Sequence, residues 1–194
     1  MRSLRRLALL SVAVSVAAAP IWATTLLRMN LDEMCQRADL VFMGTVLQVE
    51  SGTVSVGGGE LPTVTYTLRV DEAFQGTFDT TKGDSIATFT TIGKVPDLTV
   101  GNARRIPSLP TMPDLNVGRS YVLLTTPASS AGLSTTIGLG QGCFTLSGGG
   151  AKDLTAVNAF NNADLFSGMA AGLPASGPVS YSVLASQIQA AIGQ

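Results

Sequence analysis

The sequence predicts a mainly β domain, five or six antiparallel strands closed into a barrel or sandwich, with a short helix before them and another at the end. Three observations point there. Glycine, threonine, serine and valine are plentiful while charged residues make up only 13% of the chain, which suits pleated, half-buried surfaces better than helical ones. Short runs rich in β-branched and aromatic side chains recur, separated by turn-forming glycines and prolines. Removal of an N-terminal export signal leaves about 170 residues, the size of one domain with a real core.

That signal is read from Arg2, Arg5 and Arg6, the apolar run 7–19 and the small residue that "PIWA" offers at the cut. A charged start, a short apolar core and a small residue at the cut describe a secretory signal peptide over residues 1–23, cleaved after Ala23 to leave Thr24 first. The run is shorter than the roughly 20 residues of a spanning helix, so no stable membrane insertion is expected once it is cut; an uncleaved anchor is the alternative. Export places the chain in the periplasm or outside the cell. Losing three arginines from 12 basic residues leaves nine against 13 acidic ones, a net charge near −4. Nucleic acid and anionic membranes are poor partners for such a chain.

The elements follow in order. Asn30 and Glu33 are spaced as a capping box, which predicts a helix over 31–37. "DLVFMGTVLQVE" is apolar on both alternating faces, Leu40, Phe42 and Val46 on one and Val41, Met43, Leu47 and Val49 on the other, as in a strand covered on both sides. Gly44 in its middle marks a bend or bulge. "TVTYTLRVDEAF" alternates cleanly and pairs with it in a hairpin whose tip holds "VGGGE". "DSIATFTTI", "RSYVLLTT" and "GCFTLSG" supply the remaining main strands. The β domain is assigned to 24–166, a Gly/Ala/Pro linker to 167–178, and a C-terminal helix packed on the barrel to 179–194. That helix carries Tyr181, Leu184, Ile188 and Ile192 on one stripe behind a Ser180 cap, with partner binding as the alternative to docking on the sheet.

Chemistry is bounded by what is missing. The chain has no histidine, so the common serine and cysteine hydrolase mechanisms lack their imidazole base. Two cysteines cannot close a tetrahedral metal site, and neither a metal nor a cofactor is expected. "GLGQGCF" puts Cys143 where a dinucleotide fingerprint has its third glycine, and "IGKVP" lacks the upstream glycine and following hydroxyl of a P-loop. Asp71 and Glu72, adjacent on a strand, should point to opposite faces, while Asp32 and Glu33 are explained by the first turn of a helix. The chain therefore reads as a non-enzyme. In an exported protein with two cysteines, a Cys35–Cys143 disulfide is expected, closing a loop of more than a hundred residues and stabilising by several kcal/mol in the chain-entropy model. A reactive thiol at Cys143 would need an activating neighbour, and none is visible.

Residues 93–118 hold four prolines and no steady period. So long a loop is either a binding element or a packed crossover. The candidate contacts are Arg104, Arg105, Ile106, Pro107, Leu109, Pro110 and Met112, although an arginine pair that merely solubilises a loop is common.

"ADLVFMGTVLQVES", "VTYTLRVDEAFQG", "LNVGRSYVLL" and "IGLGQGCFTL", in that order, resemble a largely uncharacterised family of exported bacterial proteins with an "AD-V-G-V … GxxQGxF" pattern over 31–146. More distantly, the opening helix, strand and hairpin are similar to netrin-like domains, the OB-type barrel shared with tissue inhibitors of metalloproteinases. This resemblance implies a five- or six-stranded OB-like barrel more than an activity. Those inhibitors present an amino-terminal cysteine to the protease's zinc, whereas here Cys35 lies eleven residues beyond the expected start, so that chemistry is not carried over. The leading expectation is an exported, non-enzymatic binding module that offers the Pro-rich loop to a protein partner, inhibitor-like or otherwise protease-associated. Alternatives are a structural or envelope-associated assembly protein and a carboxylate-dependent hydrolase of surface polymers.

Overall fold

The structure, a computed structural model, describes residues 27–80, 83–93, 112–149 and 153–193. The expected signal peptide and the candidate contacts Arg104, Arg105, Ile106, Pro107, Leu109 and Pro110 lie outside the described residues.

β1 (Leu40–Val56) and β2 (Gly59–Gln75) form a long hairpin, joined on its β2 side by β3 (Ile86–Ile92). On the β1 side follow β4 (Ser120–Thr125), β5 (Cys143–Ser147), β6 (Thr155–Asn158) and the two-residue β7 (Val179–Ser180). All pairs are antiparallel, and the order is β3-β2-β1-β4-β5-β6-β7. The chain is thus mainly β, with seven strands among the described residues where five or six were expected; the short β6 and β7 carry too few residues to show a period. The sheet is open, not the closed barrel expected. Among the described residues, isolated bridges join Thr90 with Leu133 in parallel and Thr125 with Thr136 antiparallel.

Period-two alternation gives the sheet two apolar faces. On one, Val41, Val122, Leu124, Phe144, Leu146 and Ala156 pack against α1 (Leu31–Arg37) and α2 (Tyr181–Ile192). On the other, Phe42, Val46, Tyr66, Leu68, Phe89 and Leu123 form a second core. α1 starts at the capping box: the Asn30 side chain accepts from the Glu33 N–H at 2.9 Å, and the Glu33 carboxylate accepts from the Asn30 N–H at 3.2 Å. Ser180 caps α2, whose Leu184, Ala185, Ile188 and Ala191 are buried. The 167–178 stretch read as a linker is hydrogen-bonded to its surroundings, the Gly177 carbonyl accepting from Asn162 Nδ2 at 2.9 Å and its N–H donating to the Asn161 carbonyl at 2.7 Å.

Three irregularities break the β1–β2 register. At Gly44 a Cβ would sit 2.6 Å from the Arg69 carbonyl oxygen, so only glycine lets the strands approach there. The same irregularity inserts Asp71 opposite nothing, because Met43 pairs with Glu72 and Gly44 with Val70. Asp71 and Glu72 therefore share the helix-bearing face rather than pointing apart: Asp71 accepts from Thr45 Oγ1 at 2.6 Å, and Glu72 accepts from the Tyr181 hydroxyl at 2.5 Å. A further shift at Leu47 exchanges the faces of β1, leaving Leu47 and Val49 exposed on an arm that runs past the end of β4.

The two faces also decide the cysteines. Cys35 lies in α1 within the helix-side core, whereas Cys143, neighbour to Phe144, faces the opposite core. The sheet stands between them, and both are free thiols in place of the expected disulfide.

Phe144 is fully buried where α1, α2 and three strands meet. Phe144→Ala is expected to cost about 3–5 kcal/mol in urea unfolding, and Leu47→Ala on the exposed arm less than about 0.5 kcal/mol.

Candidate functional site

The residues of "GLGQGCF" explain how β5 is placed. Leu124 is bonded twice along one edge: its carbonyl accepts from the Ile137 N–H at 2.8 Å, and its N–H donates to the Gly142 carbonyl at 2.9 Å. Between these points the chain leaves β4 for residues 138–141, and the Gly142 N–H closes the excursion on the Ile137 carbonyl at 2.8 Å. A Cβ on Gly142 would meet that same Ile137 oxygen at 2.8 Å and the Leu124 oxygen at 3.0 Å, so the returning residue has to be glycine.

Gln141, buried in the excursion, acts as a clamp. Its Oε1 accepts from the Met29 N–H at 3.0 Å, its Nε2 donates to the Leu27 carbonyl at 2.9 Å, and its own carbonyl accepts from Asn158 Nδ2 at 3.0 Å. Asn158 Oδ1 in turn accepts the N–H groups of Phe160 and Asn162. These amides satisfy one another, as buried polar groups must.

Beside the excursion, on the face opposite the helices, lies a cleft of about 330 Å³. Its floor is set by register: Tyr121 of β4 pairs with Thr145 of β5, and Thr145 with Val157 of β6, so all three point the same way, with Cys143 two residues before Thr145. Its wall is the segment 112–116, where the Pro-rich stretch rejoins the sheet. Leu115 plugs the inner core, the Tyr66 hydroxyl donates to the Pro113 carbonyl at 3.4 Å, and the Asn116 N–H donates to the Tyr121 hydroxyl oxygen at 3.1 Å. Arg119 stands at the rim, just before β4. Of the candidate contacts, Met112 is the one among the described residues, and it lines this cleft.

The cleft's thiol, Cys143, is buried. Burial pushes Cys143 up to about 12, so the reactive thiolate is scarce at neutral pH. Cys35 is likewise pushed up to about 12, by burial first and by Asp32 second. A small second cleft, near Thr88, Thr90, Thr125 and Ser134, follows the isolated bridges.

Carboxylates give a different picture. Asp71 Oδ1 accepts from Arg69 Nε at 2.8 Å while Oδ2 accepts from Thr45, whose hydroxyl also meets Ser120 Oγ at 2.9 Å. Burial, then the hydrogen bond from its hydroxyl to Glu72, raise the Tyr181 phenol. The pair ties α2 to β2, with Asp71 already engaged on both oxygens. Among the described residues no three His, Cys, Asp or Glu side chains gather as metal ligands, and no helix is long and apolar enough to cross a membrane.

Sequence reasoning singled out Met112 and Cys143 but not Arg119, Tyr121 and Thr145. "RSYVLL" is apolar along both faces of the strand, and nothing in it tells which face stays open. Compared with known proteins, the chain matches no family model and no curated relative.

Both thiols should resist iodoacetamide in the folded protein at pH 8 and label after unfolding without reductant; label that needs reduction first would mean a disulfide. Each has a folded pKa above its ordinary 9.0, so its contribution to stability is complete below pH 9 and is lost as pH rises from 9 through about 12. Urea midpoints should fall over that window, less steeply in the Cys143→Ala protein.

Proposed function

We propose that the chain is an exported, non-enzymatic binding module that holds a protein partner between the cleft at Met112 and the Pro-rich stretch 104–112 leading into it. The observation that carries this reading is the cleft. It is of ligand-binding size, it mixes an apolar floor with a few hydrogen-bonding groups, and its segment 112–116 is pinned at Pro113, Leu115 and Asn116. A rigid base under a long loop is the usual way a scaffold presents a contact surface.

Other features agree. The chain lacks histidine, burial holds the cleft thiol protonated, and both Asp71 oxygens already accept a hydrogen bond. Export is supported by the charged and apolar start followed by the small residue Ala23. The distant netrin-like resemblance is supported by the helix that precedes a long β1–β2 hairpin, here in an open antiparallel sheet. Assembly through the terminal helix is less favoured, since the apolar stripe of α2 is buried in the core.

Affinity capture from the exporting cells tests the reading. The wild-type chain is expected to retain a protein partner that the variant with residues 104–112 replaced by a Gly-Ser linker loses. Equal capture by the two would remove the loop from the account.

A further inference from the structure

We infer that the cleft receives the C-terminal carboxylate of a polypeptide chain, a specification that rests on the binding-module reading above. Three donors converge on it. Arg119, just before β4, and Tyr121 both line the cleft, and Tyr121 is directly opposite Thr145. Tyr121 is only 3% exposed. Its oxygen accepts the Asn116 N–H, which leaves the phenol proton with no acceptor among the described residues. The Thr145 hydroxyl likewise has no partner there. Arg119 takes part in neither of the two ion pairs found among the described residues, Arg28 with Asp164 and Arg69 with Asp71.

Donors without acceptors in a half-buried cleft call for an oxyanion. A carboxylate meets a guanidinium through two parallel bonds and takes further bonds from hydroxyls. Around the donors lie Met112, Leu115, Cys143 and Val157, an apolar lining suited to one small terminal side chain. Asp114, in the same wall, adds a negative charge that opposes a second carboxylate. Asn158 Oδ1, an acceptor in the cleft lining, is already occupied by the Phe160 and Asn162 N–H groups. Arg119 is the one cationic side chain among the described lining residues and serves one carboxylate, so a chain end fits better than a free dicarboxylic acid.

The test is an NMR titration of the exported full chain with N-acetylated tripeptides ending in Ala, Val or Leu, each as free acid and as amide, and with propionate. Free-acid peptides should move the amide signals of Arg119, Tyr121 and Thr145 saturably, and the amidated twins should bind at least about tenfold more weakly. Arg119→Gln and Thr145→Val should each weaken binding about tenfold with the remaining spectrum unchanged, and Arg119→Lys should recover part of the loss. Equal binding of acid and amide would overturn the inference, and so would propionate binding as tightly as the peptides. If no peptide binds while loop-dependent partner capture persists, the carboxylate site falls and the binding-module reading stands; if capture also fails, both fall.

Discussion

Leu124 carries two hydrogen bonds to one strand edge, from Ile137 and to Gly142, and the remaining architecture is arranged around the four residues that loop out between them. The excursion lets a single edge of β4 serve two segments. The first meets Thr125 through Thr136 and reaches β3 through Leu133; the second becomes β5 and carries the sheet on to β6 and β7. Gln141, lifted out of the strand, then fastens the chain ahead of α1 and the end of β6 to the same point. Among its partners is the buried Met29 N–H, costly to leave unsatisfied.

A second constraint is the alternation of side chains through the sheet. It sends Phe144 to the helices and Cys143 to the cleft, and it separates Cys143 from Cys35 by the thickness of the sheet. A disulfide between them would require one strand residue to change faces, which a period-two strand allows only by shifting its whole register. The same geometry gives the cleft its character. The floor is a sheet face that the helices do not cover, and the chemistry it offers comes from strand neighbours held in register, Tyr121 and Thr145, with Arg119 at the strand's entrance.

Much of this was legible in the residues. The Asn30–Glu33 box, the stripe of α2, the bend at Gly44 and the long hairpin all rest on local spacing, and local spacing is what a sequence displays. What escaped depended on pairing between distant segments. One inserted residue at Asp71 brought two acidic neighbours to one face, and one at Leu47 turned expected core residues outward, because a bulge is defined by its partner strand. The pairing of the cysteines looked forced by their number, yet number says nothing about which side of a sheet each occupies. Met112 was found from the loop that precedes it. Arg119, Tyr121 and Thr145 were not, since a strand apolar on both faces conceals which one is left uncovered.

The glycine-rich stretch that suggests reactivity is, in this account, the architectural joint of the molecule. Urea unfolding of Gln141→Ala tests that most directly. Removing the clamp leaves the buried Met29 N–H without its acceptor and frees the Leu27 carbonyl, so a loss of about 2–4 kcal/mol is predicted. Stability within about 0.5 kcal/mol of the parent would show that the excursion holds nothing together and would contradict the account.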